Sequence, residues 1–341
     1  MTSSKLIVAM WPYRINYDLN PYTALLSDSM ARYGVEVIEF GWDWRSFRSH
    51  VVHFHWPNNF FFTAPSLQLR MQAWKQLIWL AAFRVKGGHL VWTAHNIWPH
   101  DRLRRYSLRL WMFLLLIDGV IYLNRASKNI ALVQHPLLKR KKSAVIPEMT
   151  HYKIFSTQSR QKHYTHERPI RLGNFGLIRP YKQLDRLIDC MKEIPSTDAT
   201  LAISGASFGY PQLEQQLKEL AQNSSNIKLS FGYLTHEKLE RFVDECDAVI
   251  LPYRDILNSG AAIFALSRLR PIMVPNLGGM AELRQAVGDD WVFCYSGTLT
   301  SERIREYLSW LKVTPRPSPP DMSLFDPEVV AAATAQFYNL K

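Results

Sequence analysis

Short apolar runs rich in β-branched residues alternate with stretches of helical periodicity along this chain, and that alternation constrains its fold more than any other feature. In the first half the runs lie near residues 6–10, 35–40, 51–55, 90–94, 119–123 and 144–146. Helix-like stretches near 22–32, 67–83, 103–117 and 126–133 separate them. Strand and helix in turn predict a parallel sheet covered by helices on both faces. Residues 147–169 are polar and aperiodic, include His151, His163 and His166, and read as a connector. The alternation then restarts with strands near 170–174, 201–204, 227–230, 248–251, 272–274 and 291–294. The helix after the first of these places Leu184, Leu187, Ile188, Met191 and Ile194 on one face. A chain of 341 residues exceeds what one core usually organises, so two α/β units are expected. A Pro-rich hinge at 315–320 precedes a last, Ala-rich helix, with Asp326 as its N-cap and Pro327 in its first turn.

An apolar fraction of 47% and a charged fraction of 21% describe a folded globular chain. Cys190, Cys246 and Cys294 show no CxxC spacing and read as reduced thiols in a cytosolic protein. The apolar run at residues 6–10 suits a buried first strand and is too short for a signal segment or a membrane span. The net charge of +12 attracts nucleic acid, anionic headgroups or phosphorylated substrates alike. Its distribution is more telling. Arg102, Arg104, Arg105 and Arg109 precede the apolar stretch 110–117, Lys139–Lys142 form a second cluster, and Lys75, Arg84 and Lys86 bracket a stretch with Trp79 and Phe83. Either these are buried helices with solvated charged ends, or they form an interfacial, non-spanning contact with an anionic membrane.

Ligands of open α/β sheets bind beyond the carboxyl ends of the strands, where helix N-termini offer unpaired amides. After the strand at 170–174 comes Gly176-Leu177-Ile178-Arg179-Pro180-Tyr181-Lys182, two cations at a loop-to-helix junction. After the strand at 248–251 come Pro252-Tyr253 and then Asn258-Ser259-Gly260-Ala261, opening an apolar helix whose first amides form an anion cradle. A diphosphate fits between that cradle and Lys182. One cation about 4 Å from a phosphate charge contributes roughly 4 kcal/mol at an effective dielectric near 20. Taken singly, Lys182 reads as a solvated first-turn residue and Ser259 as an N-cap; the pair after two strands of one sheet favours a phosphate site.

The segments GNFGLIRPYK (173–182), DAVILPYRDILNSGAAIFALSRLRPIMVP (247–275) and GDDWVFCYSG (288–297) resemble the C-terminal half of bacterial GT-B glycosyltransferases. More narrowly, together with NPY (20–22), HFHWP (53–57) and WTAHNIWPHD (92–101), they are similar to the β-mannosyltransferases of xanthan-type exopolysaccharide assembly. The resemblance implies an α/β GT-B fold, two Rossmann-like domains with parallel sheets facing across a cleft. Residues 1–150 would form the acceptor-binding domain, 151–169 the linker, 170–320 the nucleotide-sugar domain and 321–341 a helix packing back on the first domain. It implies transfer of mannose from GDP-mannose, with inversion, to a lipid-linked oligosaccharide by a cytoplasmic enzyme peripheral on the inner face of the cell membrane. Partners would then be a sugar nucleotide, the lipid-linked acceptor and an anionic membrane surface, with no nucleic acid.

Carried over by resemblance, Lys182 matches the diphosphate lysine, Ser259 and Gly260 the phosphate-binding helix start, and Glu282 the late acidic position. Arg179 matches less well, because the family's phosphate arginine sits further from its lysine. Retaining members carry a ribose-contacting Glu after the cradle; here Phe264 stands there, which counts against a retaining enzyme and leaves Glu282 as the ribose candidate.

In the first domain His53 and His55 end one strand, and His95 and Asn96 another, followed by His100 and Asp101. Inverting transfer needs a base at the acceptor hydroxyl. Asp101 or His100 is the expected base, with His55, His95 and Asn96 as acceptor or cleft contacts. Asp101 reads equally as a helix N-cap, and either histidine alone as a satisfied core residue. There is no HExxH, Walker lysine loop or DxD pair, so no metal and no further cofactor is expected. Gly205-Ala206-Ser207-Phe208-Gly209 matches GxSxG, but the only later histidine is His236, so it reads as a Gly-rich loop and not a hydrolase elbow. Two rivals stay open: a retaining GT-B hexosyltransferase using UDP-glucose or a similar donor, and a basic, non-catalytic polyanion-binding protein.

Overall fold

Strand and helix succeed one another throughout the computed structural model, which describes residues 5–15, 17, 20–57, 61, 66–98, 107–150 and 168–339. The chain divides into two units, Met1–His151 with Ser323–Lys341, and Tyr152–Met322.

The first unit runs β1 (Leu6–Trp11), α1 (Tyr22–Met30), β2 (Val35–Glu39), α2 (Trp44–Phe47), β3 (Val51–Phe54), α3 (Leu67–Val85), β4 (His89–Ala94), α4 (Leu108–Leu116), β5 (Gly119–Tyr122), α5 (Arg125–Gln134) and β6 (Lys142–Val145). Among the described residues its strands form one parallel sheet in the order β2-β1-β3-β4-β5-β6. β3 and β5 are buried along their whole length, as the continuous apolar runs of a doubly covered parallel sheet require. The short α2, capped by the Asp43 carboxylate on the Ser46 amide, has too few turns for its periodicity to be legible in sequence.

The second unit runs β7 (Ile170–Phe175), α6 (Leu184–Lys192), β8 (Ala199–Gly205), α7 (Pro211–Ala221), β9 (Ile227–Phe231), α8 (His236–Glu245), β10 (Ala248–Ile250), α9 (Gly260–Ser267), β11 (Ile272–Pro275), α10 (Met280–Val287), β12 (Val292–Tyr295) and α11 (Ser301–Val313). Its parallel sheet has the order β12-β11-β10-β7-β8-β9. The apolar face of α6 is buried as its spacing predicts; Ile194 lies past the helix end but is buried with it.

The last helix, α12 (Pro327–Phe337), packs on the first unit. Val330, Ala331, Ala335 and Phe337 join the core of the first unit with Tyr22, Leu26 and Met30 of α1. Asp326 caps it by accepting from the Glu328 amide, and Pro327 occupies its first turn. The Pro-rich segment before it is anchored to the second unit: Arg316 lies 4.5 Å from the Trp310 ring centroid, and Trp291 Nε1 donates to the Ser318 carbonyl at 3.1 Å.

Candidate functional site

Each sheet reverses direction of travel at one place. In the second unit that place is the β10–β7 boundary, and the order is the doubly wound one whose switch point opens a crevice beyond the strand ends. Asn174, at the end of β7, is buried and donates from Nδ2 to the Ile250 carbonyl of β10 at 2.7 Å, tying the two strand ends together. Past β7 the chain turns at Gly176 with φ +91°, where a Cβ would lie 3.4 Å from Lys182 Nζ. A tight turn with no side chain lets the lysine fold back over its own strand end. Lys182 is buried, and Nζ donates to the Phe175 carbonyl at 3.3 Å and lies 5.9 Å from the Tyr253 ring.

Tyr253 joins the two strand ends. Its hydroxyl is 3.1 Å from Ser259 Oγ, which caps α9 by accepting from the Ala262 amide at 3.1 Å. The Gly260 and Ala261 amides, in the helix's first turn, are left without an intrahelical acceptor by helix geometry. Lys182, Tyr253 and Ser259 thus form one contiguous group, although 77 positions separate the first from the last. Desolvation, aided by the charge of Arg179, lowers Lys182 to about 8, so the ammonium stays mostly charged at neutral pH, with no carboxylate among the described residues contributing to its charge balance.

Arg179 is committed elsewhere as well: Nη1 donates to the Phe208 carbonyl at 2.7 Å and the guanidinium lies over the Tyr210 ring at 4.9 Å. Its partner is the GASFG loop, which packs so tightly that a Cβ on Gly205 would lie 1.9 Å from the Gly176 carbonyl oxygen. Within that loop Ser207 is buried and hydrogen-bonds Glu214 instead of a histidine. Asn258 immediately precedes the α9 cap, and Glu282 stands half-buried in the first turn of a different helix, α10. Phe264 is buried with its ring edge-on to Phe175 at 5.5 Å, leaving no carboxylate at that turn of α9.

In the first unit the order reverses between β1 and β3, and His55 and Trp56 follow β3 at that place. His55 Nδ1 lies 2.9 Å from His95 Nε2, and both rings are buried. Tyr22 meets both rings edge-on, at 5.7 and 5.3 Å, and Trp56 stacks on His95 at 4.5 Å. A neutral imidazole has one donor and one acceptor nitrogen; with Nδ1 engaged, the buried His55 Nε2 has no hydrogen-bond partner among the described residues. His53 is satisfied, between the Tyr338 hydroxyl at 2.7 Å and Thr93 Oγ1 at 2.8 Å. Burial drives all three histidines to the neutral form: His53 to about 3, His95 to about 3, and His55 well below its usual value. Asn96 follows, half-buried. His100 and Asp101 lie outside the described residues, as do most of the connector and its three histidines.

Sequence reasoning missed Tyr253 as a linking residue, and Tyr22, Trp56 and Tyr338 as neighbours of the histidines. Pro252-Tyr253 directly after a strand was a usable signal for the first. Nothing local announces Tyr338, which reaches His53 from 285 positions away.

No protein-family model matches the chain. Two curated GDP-mannose:glycolipid 4-beta-D-mannosyltransferases of Xanthomonas campestris pv. campestris are 30% and 29% identical to it over 287 residues, covering 82% of this chain and 76% of each relative. Among solved structures, sucrose-phosphate synthase from Thermosynechococcus elongatus superposes with a TM-score of 0.65 at 14% identity, covering 98% of each chain. The catalytic domain of starch synthase IV from Arabidopsis thaliana does so with a TM-score of 0.66 at 11% identity, covering 98% of this chain and 99% of that one. These likenesses share the fold, two Rossmann-like units of the GT-B class. With 30% identity across most of both chains, this protein belongs to the family of the Xanthomonas mannosyltransferases and is a GT-B glycosyltransferase.

Proposed function

We propose that the chain transfers mannose from GDP-mannose, with inversion and hence a β-linkage, onto a lipid-linked saccharide in exopolysaccharide assembly. It would act at the cytoplasmic face of the cell membrane. The observation that carries the reading is the buried, charged Lys182 beside Tyr253 and Ser259, at the switch point of the second sheet, in a chain of this family. A buried ammonium that meets no carboxylate among the described residues calls for an anion, and a nucleoside diphosphate supplies one.

In this mechanism the acceptor hydroxyl attacks the anomeric carbon as the bond from that carbon to the β-phosphate oxygen breaks. The proton passes to a base of the first unit, for which Asp101 and His100 remain the candidates. The leaving GDP gathers negative charge, and Lys182 Nζ with the Gly260 and Ala261 amides would stabilise it as that charge develops. Arg179, Asn258 and Glu282 are assigned to the donor's surroundings, and His55, His95 and Asn96 to the acceptor. On this reading the lysine and the helix start do the work of a divalent ion, so no metal is required. Phe264, closed off against Phe175, supports inversion over the retaining alternative, since it supplies no ribose-binding carboxylate.

A panel of radiolabelled sugar nucleotides, incubated with the protein and a lipid-linked acceptor, tests this. GDP-mannose should be the donor consumed, with a β-anomeric product by NMR. Turnover of UDP-glucose instead, or an α-product, would reject the assignment.

A further inference from the structure

Two helices of the first unit carry exposed apolar residues on their outward faces. The inner face of α3 is buried through Ala73, Leu77, Leu80 and Phe83. Leu67, Met71, Trp74, Ile78 and Val85 are exposed, Leu67 at 72%, Ile78 at 68% and Val85 at 89%. At 100° per residue these five lie in a sector roughly 60° wide, opposite the buried face. The neighbouring α4 repeats the arrangement: Leu110, Phe113 and Leu114 are buried, while Leu108, Trp111 and Leu115 are exposed at i, i+3 and i+7. A helix apolar all round is ordinarily covered on all sides. Trp79 and Phe83, the aromatics most conspicuous in sequence here, face inward onto each other and onto Phe47. The outward stripes are made by different residues.

Charge decides what covers them. Between residues 44 and 147 there are sixteen Lys and Arg and two acids, Asp101 and Asp118. Neither α3 nor α4 contains an acidic residue, and Arg70 and Lys75 flank the α3 stripe on its two sides. Arg109 on α4 feels the charge of Arg70, and its buried Nε has no hydrogen-bond partner among the described residues. Lys141 donates to the Leu115 carbonyl at the end of α4, bringing the 139–142 cluster to the same helix. Two copies meeting through such a face would set like charges against each other, whereas lipid phosphates would neutralise them.

We propose that the outward stripes of α3 and α4 dock the first unit onto an anionic phospholipid bilayer, Leu67, Met71, Trp74, Ile78, Leu108 and Trp111 entering the acyl boundary and Arg70, Lys75 and Arg109 meeting headgroup phosphates. This deepens the proposed function by naming the face turned to the membrane, and it rests on the reading that the acceptor is lipid-linked. Among the described residues no helix is long and apolar enough to cross a membrane, so the contact lies in the interface.

Flotation on a density gradient tests it, with vesicles of phosphatidylcholine alone and vesicles containing about one third phosphatidylglycerol. The full chain should rise with the anionic vesicles and stay down with the neutral ones. The double variant Met71→Glu, Ile78→Glu should float at least about tenfold less, and Arg70→Ser or Arg109→Ser about fivefold less each. Arg70, Met71 and Ile78 are exposed, so melting temperature and GDP-mannose turnover in detergent with a short-chain acceptor should hold in the double variant and in Arg70→Ser. Undiminished flotation of the double variant, or equal binding to neutral vesicles, would overturn the docking face. So would a wild-type dimer that dissociates in the double variant without any flotation. Loss of GDP-mannose turnover with flotation intact would reject the proposed chemistry and leave the docking face standing.

Discussion

The two units share a layered plan and differ in what each buries at its switch point. The first gathers three histidines, all neutral, against Tyr22, Trp56 and Tyr338. The second buries one lysine that stays mostly charged near pH 7. The same physical pressure, desolvation, acts on both. An imidazole starts near 6.5 and is readily discharged, whereas an ammonium starts near 10.5 and keeps its proton even after a large fall. The first site therefore offers rings and hydrogen-bonding nitrogens without charge, suited to sugar hydroxyls. The second offers a fixed cation and helix amides, suited to a diphosphate.

The sharpest way to break this contrast is to remove the cation. Lys182→Met should lower transfer about a thousandfold or more, the scale expected for losing a group that meets developing charge. Its melting temperature should hold or rise, because a buried charge with no carboxylate beside it among the described residues is removed. A variant that melts early would mean Lys182 serves the fold. Titration is the second test. Because the free lysine loses its proton near 8 and the diphosphate needs it protonated, donor KM should climb up to about tenfold between pH 8 and 9. A flat profile there would detach Lys182 from the donor.

On the other side of the contrast, acid should weaken the first unit. Its histidines titrate lower in the native state than unfolded, so unfolding takes up protons as pH drops below about 6.5, and stability falls throughout that window toward about 3. Melting at pH 7 and pH 5 should show a loss on the order of a few kcal/mol, reduced in His95→Leu when each protein is compared with itself at the two pH values. The smallest effect is expected at the last helix. Tyr338→Phe should cost about 1–3 kcal/mol, since it leaves one buried His53 nitrogen unsatisfied. No change would mean that packing alone holds α12.

Much of the local architecture was legible in sequence because burial imposes periodicity on neighbouring residues. Strands were located to within a few residues, and Asp326-Pro327 at a helix start can be read without any tertiary knowledge. Lys182 and Ser259 each stood out for the same reason, a polar residue in the stretch that carries an apolar strand into the next helix. What periodicity leaves open is strand order.

Sequence alone therefore determined the alternation of elements, the anion-friendly chemistry after two strands, and a kinship strong enough to name a family. The tertiary structure decided that β7 and β10 are neighbours, which brings Tyr253 between Lys182 and Ser259. It also decided that His55 meets His95 across β3 and β4, and which apolar residues of α3 and α4 face outward. Hydrophobic burial and helix geometry act between residues a turn apart, so they are written locally. Pairing of strands and facing of helices depend on contacts between residues far apart in the chain, and only the folded packing settles those.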